Sequence, residues 1–247
     1  QIEYHISMLK KMLGVGQAPS GMVLIPAGDF QMGHDDSGRH ERPTHTVYLN
    51  PYYIDKTEVT AEAFKKCVDA GKCKLPYVGD DYSYNNGGYE NHPINGVDWF
   101  HARDYCLFAG KRLLTEAEWE KAASWKDGKK YWFPNGKKEI TCADAVLSGD
   151  GEGCEGDHTQ PVASRNVEIN GTYDMAGNVM EWVSNWWYAY SEEPQNNPQG
   201  PEEGDERSIR SAAYNYGDSY MRGIWRSAWG PTGYDVNIGF RCAQSAQ

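Results

Sequence analysis

No stretch of this chain runs to the roughly 18 consecutive apolar residues that a membrane-spanning helix needs. Basic residues are also scarce. Lys and Arg number 24 against 35 Asp and Glu, for a net charge of −11. A surface so balanced lacks the basic patch that a phosphate backbone requires, which excludes nucleic acid as a partner. No Cys-x-x-Cys pair occurs, so a zinc finger module is excluded. Neither a Gly-x-Ser-x-Gly elbow nor a P-loop is present. No secretory leader is visible, so a mature or trimmed form is expected.

The chain is rich in ring and turn residues. Its 247 residues include 27 Gly, 17 Tyr and 9 Trp, and the mean hydropathy is −0.75. This length fits one large or two small domains, and the composition points to a loop-rich protein with an aromatic core. Six cysteines, an even number, suggest disulfides and an oxidising compartment. Cys67 and Cys73 flank a short turn, and Cys142 and Cys154 flank a Gly-rich loop, so both pairs read as local staples. Cys106 and Cys242 are then left to each other. Six buried free thiols in a reducing compartment is the competing reading.

Residues 2–13 read as a short amphipathic helix and 14–20 as a linker. Two short apolar runs around Pro26 suggest a hairpin over 22–32, and 46–54 suggests a strand. The polar stretch 34–45 reads as a loop with solvated His34, His40 and His45. Three helices are expected: after Thr60 to Gly71, from Asp98 to Gly110, and from the capping box Thr115–Glu118 to near Trp125. Residues 77–90 form a connection long enough to suggest a role of their own. No long helix is expected after Tyr131, and 191–205 reads as an acidic surface loop. The order gives an α+β fold. Near the C-terminus, 214–224 and 229–236 combine Tyr and Trp with Ser, Gly, Asp and Asn and show no regular period. That composition suits a recognition surface; an ordinary Gly-rich loop with aromatic packing is the alternative.

Six motifs occur in order over 21–242: GMVLIPAGDFQMG from Gly21, YIDKTEVT from Tyr53, HPINGVDW from His92, GKRLLTEAEWEKAA from Gly110, YDMAGNVMEW from Tyr173 and IGFRC from Ile238. Together they resemble the formylglycine-generating enzyme (sulfatase-modifying factor) family. The resemblance implies a C-type lectin-like fold with short strands and two to three helices. It implies one domain over 21–247 and a helix or linker over 1–20. It supports the Cys106–Cys242 pairing and core roles for Trp99, Trp119 and Trp182. It also implies a structural calcium held by the Asp174 and Glu181 side chains with the Gly177 and Val179 carbonyls; a hydrogen-bonded acidic turn is the alternative.

The family's oxidase needs a cysteine pair within an RGGSYxCxxSYC-like motif. Here the matching stretch runs from Arg210 to Met221, and Tyr216 and Met221 stand at the cysteine positions. Neither side chain supplies a thiolate, so no enzyme activity is expected. The related iron-dependent sulfoxide synthases need a helical domain with a histidine triad, which this chain lacks.

The same fold is similar to the variable proteins of diversity-generating retroelements, in which adenine-directed mutagenesis rewrites a C-terminal segment. Randomised Asn codons exclude Trp, Met, Gln, Glu and Lys, and most residues of 214–237 pass; Met221, Trp225 and Trp229 do not. The departure from the family pattern in this block, between intact flanks, is the stronger sign.

The resemblance therefore implies a non-catalytic receptor- or adhesin-like protein, with a binding segment over 207–242. Its expected contact residues are Tyr214, Asn215, Tyr216, Asp218, Ser219, Tyr220, Met221, Ile224, Trp229, Thr232, Tyr234, Asp235 and Asn237. The expected partner is a protein or other macromolecule. The expected place is outside the cell or on a cell or phage surface, with a lipid anchor before residue 1 as one means of attachment. A cysteine-less paralogue of the oxidase acting as an accessory domain is the alternative.

Overall fold

Each of the three helices begins at a short polar side chain that takes an otherwise unpaired backbone N–H. In the computed structural model, which describes residues 18–149, 154 and 157–246, α1 spans Ala61–Asp69 and Thr60 accepts from the Ala63 N–H. Helix α2 spans Trp99–Phe108, where Asp98 accepts from the His101 N–H at 2.9 Å. Helix α3 spans Glu116–Ser124, and its capping box is reciprocal: Glu118 N–H to Thr115 Oγ1 at 3.2 Å, Thr115 N–H to Glu118 Oε2 at 2.8 Å. Gly71 and Gly110 end α1 and α2 at φ of +67° and +70°, where a Cβ is disfavoured. The helix expected over 2–13 lies outside the described residues. Thr60 caps α1 at a partly exposed position, so Thr60→Ala is expected to cost about 1 kcal/mol in a urea titration. A cost within error of zero would remove that cap as a stabilising element.

The strands build three sheets and a small ribbon. Strands β1 (Met22–Ile25), β4 (Tyr52–Asp55), β13 (Cys242–Ser245) and β5 (Arg112–Leu113) lie side by side in that order. The first and last of the described strands thus share one sheet. Strands β2 (Gly28–Met32), β3 (His45–Leu49) and β9 (Gln195–Asn196) form the second. The third, in the order β11-β10-β8-β12, comprises β11 (Arg226–Trp229), β10 (Arg207–Arg210), β8 (Met180–Trp186) and β12 (Ile238–Gly239). The ribbon pairs β6 (Trp125–Lys126) with β7 (Lys129–Lys130).

Two readings of the sequence need correction here. The 22–32 segment is not a hairpin: β1 pairs with β4 and β2 with β3. The strand expected over 46–54 is two strands, β3 and β4, divided at Asn50 and Pro51. Proline has no N–H to give a ladder.

Helix α3 is buried along its whole length and forms the centre of the molecule. On one side Trp119 packs with Phe30, Val47 and Ile54. Another cluster joins Phe64, Trp99, Trp182, Ile238 and Phe240. Each of the three core tryptophans satisfies its indole N–H, as buried rings must: Trp99 to the Val183 carbonyl at 2.8 Å, Trp119 to Glu181 Oε2 at 2.8 Å and Trp182 to the Val97 carbonyl at 3.0 Å. All six cysteines are paired as expected, Cys67–Cys73, Cys106–Cys242 and Cys142–Cys154. His45, read as solvated, is buried in β3 against the Tyr190 ring, because its neighbours continue a strand rather than a loop.

Candidate ligand-binding face

The third sheet brings the two C-terminal segments together. Residues 211–225 connect β10 to β11, and 230–237 connect β11 to β12. The first loop joins neighbouring antiparallel strands, whereas the second leaves the opposite end of β11 and crosses the sheet to β12 at its other edge. The side chains that flank the first loop are buried arginines. Arg210 donates to Glu116 Oε1 at 3.2 Å and Glu120 Oε2 at 3.0 Å. Arg226 donates to Glu116 Oε1 at 2.7 Å and Oε2 at 2.8 Å. All four side chains are fully buried. The Arg226 guanidinium also lies 4.0 Å from the Trp187 ring centre and 3.9 Å from that of Tyr190. Both ends of the 211–225 loop are thus fastened to one face of α3. Opposing carboxylates hold Arg210 protonated more firmly than usual, with Tyr190, Glu120 and Glu116 overcoming the burial that works against its charge.

Within the loop, Ser211 takes a φ of +64° and is buried. It stands where the related motif has glycine, and so keeps a backbone conformation that glycine adopts more easily. Tyr216, Tyr220 and Trp225 group their rings edge to face, with centroids 5.4, 6.0 and 6.4 Å apart. Asn237 Nδ2 donates to Asn215 Oδ1 at 3.2 Å and joins the two loops.

The expected contact residues divide by burial. Asn215, Asp218, Ser219, Tyr220, Trp229, Thr232 and Tyr234 are exposed, and Tyr216 and Asp235 are half-buried. Tyr214 and Asn237 are mostly buried and line the floor. Met221 and Ile224 need correction as contact residues. They are 1% and 0% exposed, and Met221 packs on Phe133, Ile140 and Leu147 beneath the loop. A side chain so enclosed has no surface to offer a ligand. Trp225, Tyr77 and Tyr82 were not among the expected residues. Trp225 joins the aromatic group, and the Tyr77 ring lies stacked on Tyr234 with 8° between planes.

The calcium set does not assemble as expected. Glu181 is fully buried and gives both oxygens to Arg241, at 2.7–2.9 Å, and one also to Trp119. A guanidinium holds the place that a divalent cation beside Glu181 would need, so Glu181 is corrected from ligand to ion-pair partner. Asp174 Oδ2 accepts the Ala163 N–H at 2.7 Å, while its Oδ1 and both Glu58 oxygens lack a partner among the described residues. Gly177 turns at φ +87° against Val146, whose carbonyl oxygen would lie 2.2 Å from a Cβ there. The sharp turn around Gly177 is therefore accounted for by packing.

At the positions where the resemblance places the oxidase cysteines, Tyr216 belongs to the aromatic group and Met221 to the core. With every cysteine in a disulfide, no thiol remains near either.

The Treponema denticola variable protein 1 has a similar structure, with a TM-score of 0.75 at 23% identity, covering 91% of this chain and 95% of that one. In sequence, the chain is 32% identical over 292 residues to the formylglycine-generating enzyme of Streptomyces coelicolor, covering 92% of this chain and 90% of that protein. It is 33% identical over 245 residues to serine/threonine-protein kinase Pkn1 of Chlamydia trachomatis, but spans only 38% of that protein's length against 92% of its own. The family model for the sulfatase-modifying factor enzyme 1-like domain matches residues 13–246, and this chain belongs to that family.

Proposed function

We propose that this chain is a non-catalytic ligand-binding protein that presents a diversified surface from 207–242 to a protein or other macromolecule. The observation that carries the reading is the fate of the two cysteine positions: Tyr216 stands in a partly exposed aromatic group and Met221 in the core. Around them Tyr220, Trp229 and Tyr234 offer rigid contact area, while Asn215, Asp218, Ser219 and Thr232 offer adaptable hydrogen bonding. The shared fold of the Treponema variable protein supports the comparison at the level of architecture. Three disulfides suit an extracellular, oxidising setting, and the net charge of −11 does not suit nucleic acid. Among the described residues, no helix is long and apolar enough to cross a membrane.

A peptide library panned on the immobilised protein is expected to yield ligands that depend on this face. Tyr216→Ala and Trp229→Ala should each weaken them by about 2 kcal/mol, or about thirtyfold. Undiminished affinity for both variants would sink the site assignment. The identity to the Streptomyces enzyme over most of both chains favours a second reading, an accessory paralogue that lost its cysteines. The encoding DNA separates the two. A nearby reverse-transcriptase gene, with a template repeat matching the C-terminal segment except at adenines, belongs to the first reading alone.

A further inference from the structure

The 77–82 segment closes on the 230–237 loop. Tyr77 N–H donates to the Gly96 carbonyl at 2.9 Å, and Gly96 N–H donates to the Asp235 carbonyl at 3.0 Å. Asn95 Nδ2 donates to the Val236 carbonyl at 2.5 Å. Tyr82 packs directly on Gly96, where an added Cβ would meet the Tyr82 ring at 2.6 Å and the Tyr77 carbonyl at 2.8 Å. Tyr77 and Tyr234 stack beside it. Tyr214 is tied to Asn178 by its own N–H at 3.0 Å.

Three aspartates act on these rings. Burial raises the Tyr214 phenol above its ordinary range, and Asp235, Asp81 and Asp157 raise it further. Burial likewise raises the Tyr82 phenol, with Asp235, Tyr234 and Asp81 adding to the effect. His101, edge-on to Tyr77, is paired with Asp98 at 2.7 Å, and His158 with Asp157 at 2.5 Å. Asp235 accepts the Val236 N–H at Oδ1. A separate observation concerns the floor between the loops. Asn237 is 6% exposed, its amide N–H reaches Asn215 beside Tyr214, and its Oδ1 has no partner among the described residues. A buried carbonyl oxygen without a donor is costly, and an incoming N–H group relieves that cost.

Resting on the ligand-binding reading, we propose that this aromatic and acidic cleft receives a lysine or arginine side chain presented by a protein ligand. Tyrosine faces attract a cation through their ring quadrupole. Asp81 and Asp235 balance its charge, and Asn237 Oδ1 accepts one of its N–H groups. Tyr77, Asp81 and Tyr82 lie outside the C-terminal block, so the ligand face is composite. The 77–82 segment supplies the preference for positive charge, and the C-terminal loops supply the rest.

The probes are a tetra-arginine peptide and its tetra-citrulline counterpart, which keeps the shape without the charge. Calorimetry at low ionic strength is expected to show binding of the first alone. Asp81→Asn with Asp235→Asn should weaken it by about tenfold, and Tyr77→Ala by a further fewfold. Glu192→Gln with Glu193→Gln removes the same charge from another exposed loop and should change affinity by less than about twofold. Near-UV circular dichroism confirms that the variants stay folded. Equal losses from the two acidic pairs, no loss from the first pair, or no arginine binding at all would each overturn the proposal. Panned ligands that need Tyr216 and Trp229 yet ignore Asp81 and Asp235 would overturn this inference while leaving the binding function intact.

Discussion

Replacing Cys106 and Cys242 together by alanine is expected to lower the unfolding free energy by about 5 kcal/mol at 25 °C. The two residues are 136 positions apart, so their bond closes a loop that spans more than half of the chain. Chain-entropy arguments make such a loop the most effective kind of cross-link, because it restricts the unfolded chain most. Cys67 and Cys73 are only 6 positions apart, and the same arithmetic gives about 2 kcal/mol for their removal. Both ends of the long link are buried at points of structural consequence. Cys106 faces the core from α2, and Cys242 begins β13, the strand that pairs with β4 and β5. Urea titrations of the two double variants test the contrast. A loss from the Cys106 and Cys242 pair no larger than that from the Cys67 and Cys73 pair would show that native-state geometry, and not chain entropy, sets the effect.

Glu116→Gln is the second large effect, at about 3–5 kcal/mol of stability. Glu116 accepts from Arg210, from Arg226 twice and from the Ser208 hydroxyl at 3.1 Å, all within a fully buried cluster. Glutamine keeps the shape but brings an N–H₂ group to a place filled with donors. Arg210 retains Glu120, whereas Arg226 loses its carboxylate partner inside the protein. Truncating one member of a buried pair is severe chiefly because it strands the other charge. Glu116→Gln combined with Arg226→Met should therefore recover part of the loss, as thermal denaturation of the single and double variants would show. A double variant as unstable as the sum of the singles would rule out the stranded guanidinium as the cause.

The helices were legible in the sequence because their signals are local. Thr60, Asp98 and Thr115 each stand just before a helix, and each proved to be an N-cap. The disulfides were legible for a similar reason, since two pairs span short turns and leave the third. Strand pairing was not. The segment around Pro26 shows which residues are extended but says nothing of partners, and β1 and β2 found theirs in β4 and β3. Charge posed the same difficulty at Glu181. A carboxylate in a Gly-rich turn looks the same whether a metal or an arginine awaits it, and Arg241 lies 60 residues away. In the C-terminal segment, residue type marked the irregular loops but not which of their side chains are buried. Met221 and Ile224 sit among polar neighbours in sequence yet plug the core, since an irregular loop has no period from which inward and outward positions can be read. Tyr77 and Tyr82 could be found only through the long 77–90 connection, whose length marked it as unusual without assigning it a place.

The paired anchoring of Arg210 and Arg226 on Glu116 separates the residues that hold this surface in place from those that would meet a ligand on the proposed reading. The charges that fix the path of the 211–225 loop are fully buried, on residues at its two stems and on α3. Exposed positions such as Asn215, Asp218 and Ser219 contribute little to that account, and surface substitutions of this kind usually alter stability by less than about 0.5 kcal/mol. On the proposed reading, selection for folding and selection for affinity would act on separate sets of residues, and a lineage could search many side-chain combinations at the tip without risking the inheritance of the frame.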